Sequence, residues 1–181
     1  SACKLAIIDA LGPLTEQCRN LARAFHDLAD KHIHDVTIGR TQLQDAVPMT
    51  FGQEFHTFAT FLKMDVAALE SLVPQLAVLN LGGTAIGTGI NADERYLRRI
   101  IPNLSKVTGL ELVQASDLID ATQNLDGLVA VSGAVKTCAV NLSKMSNDLR
   151  LMSSGPRCGF SEINLPPRQN GSSIMPGKVN P

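Results

Sequence analysis

Tryptophan is absent, tyrosine occurs once, and aromatic residues make up 4% of the 181-residue chain. Few stacking platforms are therefore available for the bases of single-stranded nucleic acid. A basic excess is missing as well: 16 Lys+Arg face 17 Asp+Glu, a formal net charge of -1, which leaves nothing to neutralise a phosphate backbone. Nucleic acid is not an expected partner. The longest uncharged run, 71–92, contains Pro74, Gln75, Asn80 and four glycines, so it does not read as a membrane span. Cys3, Cys18, Cys138 and Cys158 form no C-x-x-C pair, which excludes a zinc knuckle and a thioredoxin-like motif. They are expected to be free thiols in a reducing cytosol. No signal-peptide pattern opens the chain, and a cytoplasmic location is expected. Charged residues are also scarce, 18% against about 25% in average domains. With 44% hydrophobic residues, that composition excludes disorder and implies that part of the surface is covered by other chain.

Most of the chain carries helical periodicity. Leu5, Ile8, Leu11 and Leu14 lead through a kink at Pro13 to Leu21, Phe25 and Leu28, at steps of three and four. No capping signal precedes this run, and the far end, 171–181, is a Gly/Pro/Ser-rich loop, so the chain is expected to be cut from a longer one. A loop is expected over 34–48. A helix should then run over 50–79, carrying Phe51, Phe55, Phe58, Leu62, Val66, Leu69, Val73 and Leu76. A glycine-rich loop at 81–91 precedes a shorter helix opened by Asp93 and ended near Gly109. Residues 116–154 contain no proline and end at Gly155-Pro156. They predict one helix of about 38 residues, roughly 57 Å long, against a diameter of roughly 40 Å for a compact domain of this size. Its middle is small and apolar around most of its circumference. The expected fold class is therefore all-α: a long-helix bundle that packs into a multi-subunit helical core.

Three polar loops depart from ordinary bundle sequence: Gly39-Arg40-Thr41-Gln42-Leu43-Gln44-Asp45, the glycine-rich 81–89, and Gly171-Ser172-Ser173-Ile174-Met175-Pro176-Gly177-Lys178-Val179-Asn180-Pro181. Gly87-x-Gly89-x-x-Ala92 matches a dinucleotide fingerprint in letters only, because a helical run and not a strand precedes it. The last loop misses the P-loop spacing by one residue, and Val179 stands where Ser or Thr would hold magnesium. ATP is not supported. Its chemistry suits a carboxylate instead: Gly171, Ser172 and Ser173 can turn backbone N–H groups toward one point, Lys178 adds a cation, and Asn180 adds an amide, with Pro176 and Pro181 stiffening the loop. A polar flexible tail is the alternative. Thr41 and Gln42 offer further neutral donors, while Arg40 and Asp45 are expected to brace their loop by an ion pair. His26, His32, His34 and His56 have no zinc-like spacing, so no metal site is expected. Met145, Met152 and the Phe51/Phe55/Phe58 row read as core.

The loop 171–181 resembles the signature of the aspartase/fumarase superfamily, and 39–54, 81–91 and 143–157 are similar to that family in the same order. The resemblance covers essentially the whole chain but only the central part of a family polypeptide. It implies that residues 1–181 are a partial central helical domain, with the family's N-terminal and C-terminal domains absent. Gln42 makes the chain more similar to the family's ammonia-lyases than to its class II fumarases, which usually carry histidine there. The activity so implied is conversion of L-aspartate to fumarate and ammonia through a carboxylate-stabilised carbanion, with no cofactor and no metal. Carried over by position, Ser172 is the general base, Lys178 and Asn180 bind the carboxylate, Ser173 contributes donors, and Thr41 with Gln42 contacts substrate from another subunit of a homotetramer. Two alternatives stay open: a class II fumarate hydratase, and a non-catalytic helical oligomerisation fragment. The isolated chain is expected to be inactive, since family sites are assembled from three subunits.

Overall fold

The computed structural model describes residues 1–180; Pro181, which the sequence reading placed in the last loop, lies outside them. The chain divides into two units, Ser1–Thr137 and a second beginning at Cys138. Helices dominate, as expected of an all-α chain, and three two-stranded pairings accompany them among the described residues.

In the first unit, α1 (Ala2–Lys31) carries Pro13 inside it and has neither a side-chain cap nor an acidic first turn. Its buried stripe, Leu11, Thr15, Cys18, Ala22, Phe25 and Ala29, follows helical spacing. That stripe packs along α2 (Phe51–Glu70), which opens with a complete capping box between Thr50 and Gln53. Phe25 meets Phe58 edge to face with ring centroids 5.3 Å apart. Phe58, Leu62 and Leu69 are fully buried, each stabilising the fold by about 1.5–3 kcal/mol. Gly52 lets the helices touch, since a Cβ there would stand 2.6 Å from the Ala29 carbonyl oxygen.

The expected helix over 50–79 is shorter. Proline has no N–H to continue the ladder and clashes with the preceding turn, so α2 stops at Glu70, and Pro74 falls in the first turn of α3 (Val73–Leu76). The expected loop at 34–48 is a hairpin: β1 (Val36–Thr41) pairs antiparallel with β2 (Gln44–Thr50), with a register shift between Ile38 and Arg40. After α3, β3 (Val78–Leu79) pairs in parallel with β4 (Val113–Gln114). Between them lies α4 (Glu94–Thr108), capped by Asp93 and closed by Gly109 in the left-handed region, as the sequence predicts.

The expected helix over 116–154 is two helices, α5 (Leu118–Gln123) and α6 (Asp126–Met152). Asp117 caps α5, and Asn124 turns to extended backbone after it, its side-chain amide donating to the Asp120 carboxylate at 2.5 Å. The continuous rod of roughly 57 Å does not form; α6 has 27 residues, about 40 Å. The second unit holds the C-terminal part of α6 followed by β5 (Gln169–Asn170) and β6 (Val179–Asn180), an antiparallel pair.

Candidate active site

In the second unit, β5 and β6 bracket the loop 171–178 with Gln169 opposite Asn180 and Asn170 opposite Val179. The Gly171 amide donates to the Lys178 carbonyl at 3.0 Å and closes the loop. At its tip the Lys178 amide donates to the Met175 carbonyl at 3.1 Å, and Gly177 has φ +78. Met175-Pro176-Gly177-Lys178 thus has the residue order a type II turn demands, proline at its second position and a left-handed glycine at its third.

Ser172 is half-buried at the start of this loop. Its Oγ accepts the backbone N–H of Ile174 at 3.1 Å and that of Met175 at 3.3 Å. Sequence reasoning aimed the amides of Gly171, Ser172 and Ser173 at a ligand. That arrangement is corrected here, because the Gly171 amide closes the hairpin, and the two converging amides come from residues 174 and 175 and meet on the Ser172 oxygen. Their residue types carry no such signal; a serine followed by two ordered amides in a short turn does.

Lys178 and Asn180 are brought together. A Cβ built on Gly171 would stand 2.9 Å from Lys178 Cγ and 3.0 Å from Asn180 Oδ1, so both side chains cross the same face of that glycine. Lys178 Nζ donates to the Gly171 carbonyl at 3.3 Å and is otherwise exposed. Ser173 is exposed. A serine oxygen with two amide donors, an ammonium, an amide and a second hydroxyl, none of them acidic, suit an anion and a step that builds negative charge.

Thr41 and Gln42 lie in the first unit, at the exposed tip of the β1–β2 hairpin. Gln42 and Leu43 have φ +52 and +62, the double left-handed conformation of a type I′ turn. Arg40 sits opposite Asp45 across the hairpin, Nε to Oδ1 3.9 Å, the expected bracing pair. With Asp45 81% exposed, that pair contributes little stability. His32 Nδ1 lies 2.6 Å from Asp35 Oδ2 at the end of α1. Among the described residues no cluster of three or more His, Cys, Asp or Glu is placed to hold a metal ion, and no helix is long and apolar enough to cross a membrane. Met145 is buried as expected, whereas Met175 is 52% exposed.

A protein family described as lyase matches residues 1–181. The aspartate ammonia-lyase of Pseudomonas canavaninivorans is 53% identical over 182 residues, covering 100% of this chain and 38% of its own length. Among solved structures, the fumarate lyase:delta crystallin from Brucella melitensis bound to cobalt is similar with a TM-score of 0.93 and 47% identity, over 98% of this chain and 38% of that one. The class II fumarase from Schistosoma mansoni gives a TM-score of 0.81 and 35% identity, over 92% of this chain and 38% of its own. The chain spans well under half the length of these relatives.

Proposed function

The chain belongs to this lyase family, and from that premise we propose that the whole protein is an ammonia-lyase converting L-aspartate to fumarate and ammonia. The residues described supply its central helical domain and part of its site. The carrying observation is the pair of amides on Ser172 Oγ, 3.1 and 3.3 Å away. A serine hydroxyl is too weak an acid to ionise in neutral water, and a base made from it needs its alkoxide stabilised where it forms. Two preorganised N–H donors do this without reorganisation cost.

In the proposed step, Ser172 Oγ takes the proton from the carbon beside the β-carboxylate. The electron pair left behind moves into that carboxylate as an aci-carboxylate dianion. It then returns to form the carbon–carbon double bond as the carbon–nitrogen bond breaks and its electrons leave with ammonia. Charge is the obstacle, and each donor that meets the dianion carries about 10²–10³ in rate. Lys178 and Asn180, gathered over Gly171, bind that carboxylate, and Ser173 adds a donor. Thr41 and Gln42 come from another copy in a homotetramer located in the cytoplasm. Exposed apolar positions on α6, Val129 at 68% and Val140 at 59%, support assembly with further chain.

Supplying the whole polypeptide with fumarate and ammonium tests the assignment: aspartate is the expected product. Malate would establish the second reading, a fumarate hydratase, which the likeness to the Schistosoma mansoni fumarase favours. Absence of both products from a tetrameric protein would leave the scaffold reading.

A further inference from the structure

We propose that His26 and His56 form a chelating pair for a divalent transition-metal ion of the zinc, nickel or copper class, held between α1 and α2. The inference does not depend on the lyase reading above.

Both residues belong to the first unit, and the packing beneath them is fixed. Phe25 of α1 meets Phe55 and Phe58 of α2 with ring centroids 6.2 and 5.3 Å apart, and the absence of a side chain on Gly52 brings that end of α2 against the Ala29 carbonyl. One residue further along each helix, on the exposed side, the imidazoles of His26 and His56 stand 6.1 Å apart between ring centroids, their planes inclined by 53°. The buried phenylalanines therefore hold the two backbone positions from which the imidazoles project, so the pair is set before any ion arrives. Spacing along the chain hides it, because the two ligands come from different helices.

The separation suits one shared ion. Metal–nitrogen bonds of about 2.0–2.1 Å put each ring centre about 3.2 Å from the metal, so two imidazoles on one ion have centres about 4.5–6.4 Å apart, and about 5.2 Å at the tetrahedral angle. The pair lies inside that range, and side-chain rotation of less than about 1 Å reaches the tetrahedral value. Asp30 Oδ2, 4.0 Å from His26 Nε2, adds a negative charge beside the rings, which favours a cation. Two protein ligands leave the remaining positions to water. Imidazole selects the ion: it suits zinc, copper and nickel, whereas magnesium and calcium take oxygen ligands.

The test is equilibrium dialysis of the whole polypeptide, stripped of metal and free of any histidine tag, against Zn²⁺ and separately against Ni²⁺. The parent should hold one more ion per subunit than the His26→Ala/His56→Ala double variant. Each single substitution should weaken that ion's binding by at least about tenfold, the lower bound for losing even a supporting group of a metal site. His34→Ala, which removes an exposed histidine outside the pair, should bind as the parent does, and excess Mg²⁺ should not displace the ion. Both histidines are exposed, so the variants should keep the parent's circular dichroism. Equal stoichiometry and affinity in parent and double variant would overturn the inference. A loss confined to one of the two single variants would also overturn it, since one histidine alone is not a chelate.

Discussion

Gly171 and Lys178 face each other across the ends of one loop, the glycine amide donating to the lysine carbonyl at 3.0 Å and the lysine ammonium donating to the glycine carbonyl at 3.3 Å. The absence of a side chain on Gly171 makes room for Lys178 and Asn180. Gly171→Ala places a methyl 2.9 Å from Lys178 Cγ and 3.0 Å from Asn180 Oδ1, and both must shift. Displacing a binding group by about 1 Å costs about 10² in rate. Steady-state kinetics of the whole protein should show kcat/KM down by about that factor with the melting temperature little changed; parental kinetics would detach Lys178 and Asn180 from substrate.

Ser172→Ala removes the oxygen on which the Ile174 and Met175 amides converge. Loss of a general base costs about 10²–10⁴ in turnover. Single-turnover assays should record a drop in kcat of that size while substrate still binds with near-parental affinity by calorimetry. A variant that turns over normally would remove Ser172 from the proton transfer.

Lys178→Met should separate from Ser172→Ala in kind. The ammonium meets a carboxylate already charged in the ground state, so binding itself should fail. Titration with fumarate is the direct measurement, and an unchanged affinity would reject the carboxylate role.

The parts of this fold legible in the sequence are those written in local chemistry. Asp93 and Gly109 announced both ends of α4, and the spacing of Phe55, Phe58 and Leu62 announced the buried face of α2. The β1–β2 hairpin was illegible because Gln42-Leu43 lacks the Asn-Gly or Asp-Gly pair that marks a type I′ turn, and Pro48 argues against a strand. The break between α5 and α6 falls at Asn124-Leu125, where no proline or glycine marks it. Of the site, residue identities were readable, but the donors on Ser172 are backbone groups that any sequence possesses. Only the turn geometry selects them.

Leu43 tests what the hairpin tip costs. At φ +62 and 65% exposed, it bears left-handed strain of about 1–2 kcal/mol with little burial to offset it. Leu43→Gly relieves that strain but loosens the unfolded chain by about 0.4–1 kcal/mol. The strain is the larger effect, so urea unfolding should show a gain of about 0.5–1 kcal/mol. A loss would mean that Leu43 packs in the assembled protein, and concentration-dependent unfolding would reveal it.

Asp93 connects α4 to pH. Its carboxylate is held below its ordinary value of 3.8, first by the Arg95 side chain and next by the Arg95 backbone N–H, which lies 2.7 Å from Oδ1. Folding thus favours the charged form. The contribution is complete above the unfolded carboxylate range and disappears as pH falls through the lower folded value. Asp93→Ala should destabilise the protein at neutral pH, through the lost cap and its favourable charge at the helix N-terminus, and the gap between variant and parent should narrow below about pH 4. Solvent exposure of the group keeps the effect small, so paired melts across the pH range, at low salt, are the measurement. A gap that persists undiminished in acid would show that the cap acts without its charge.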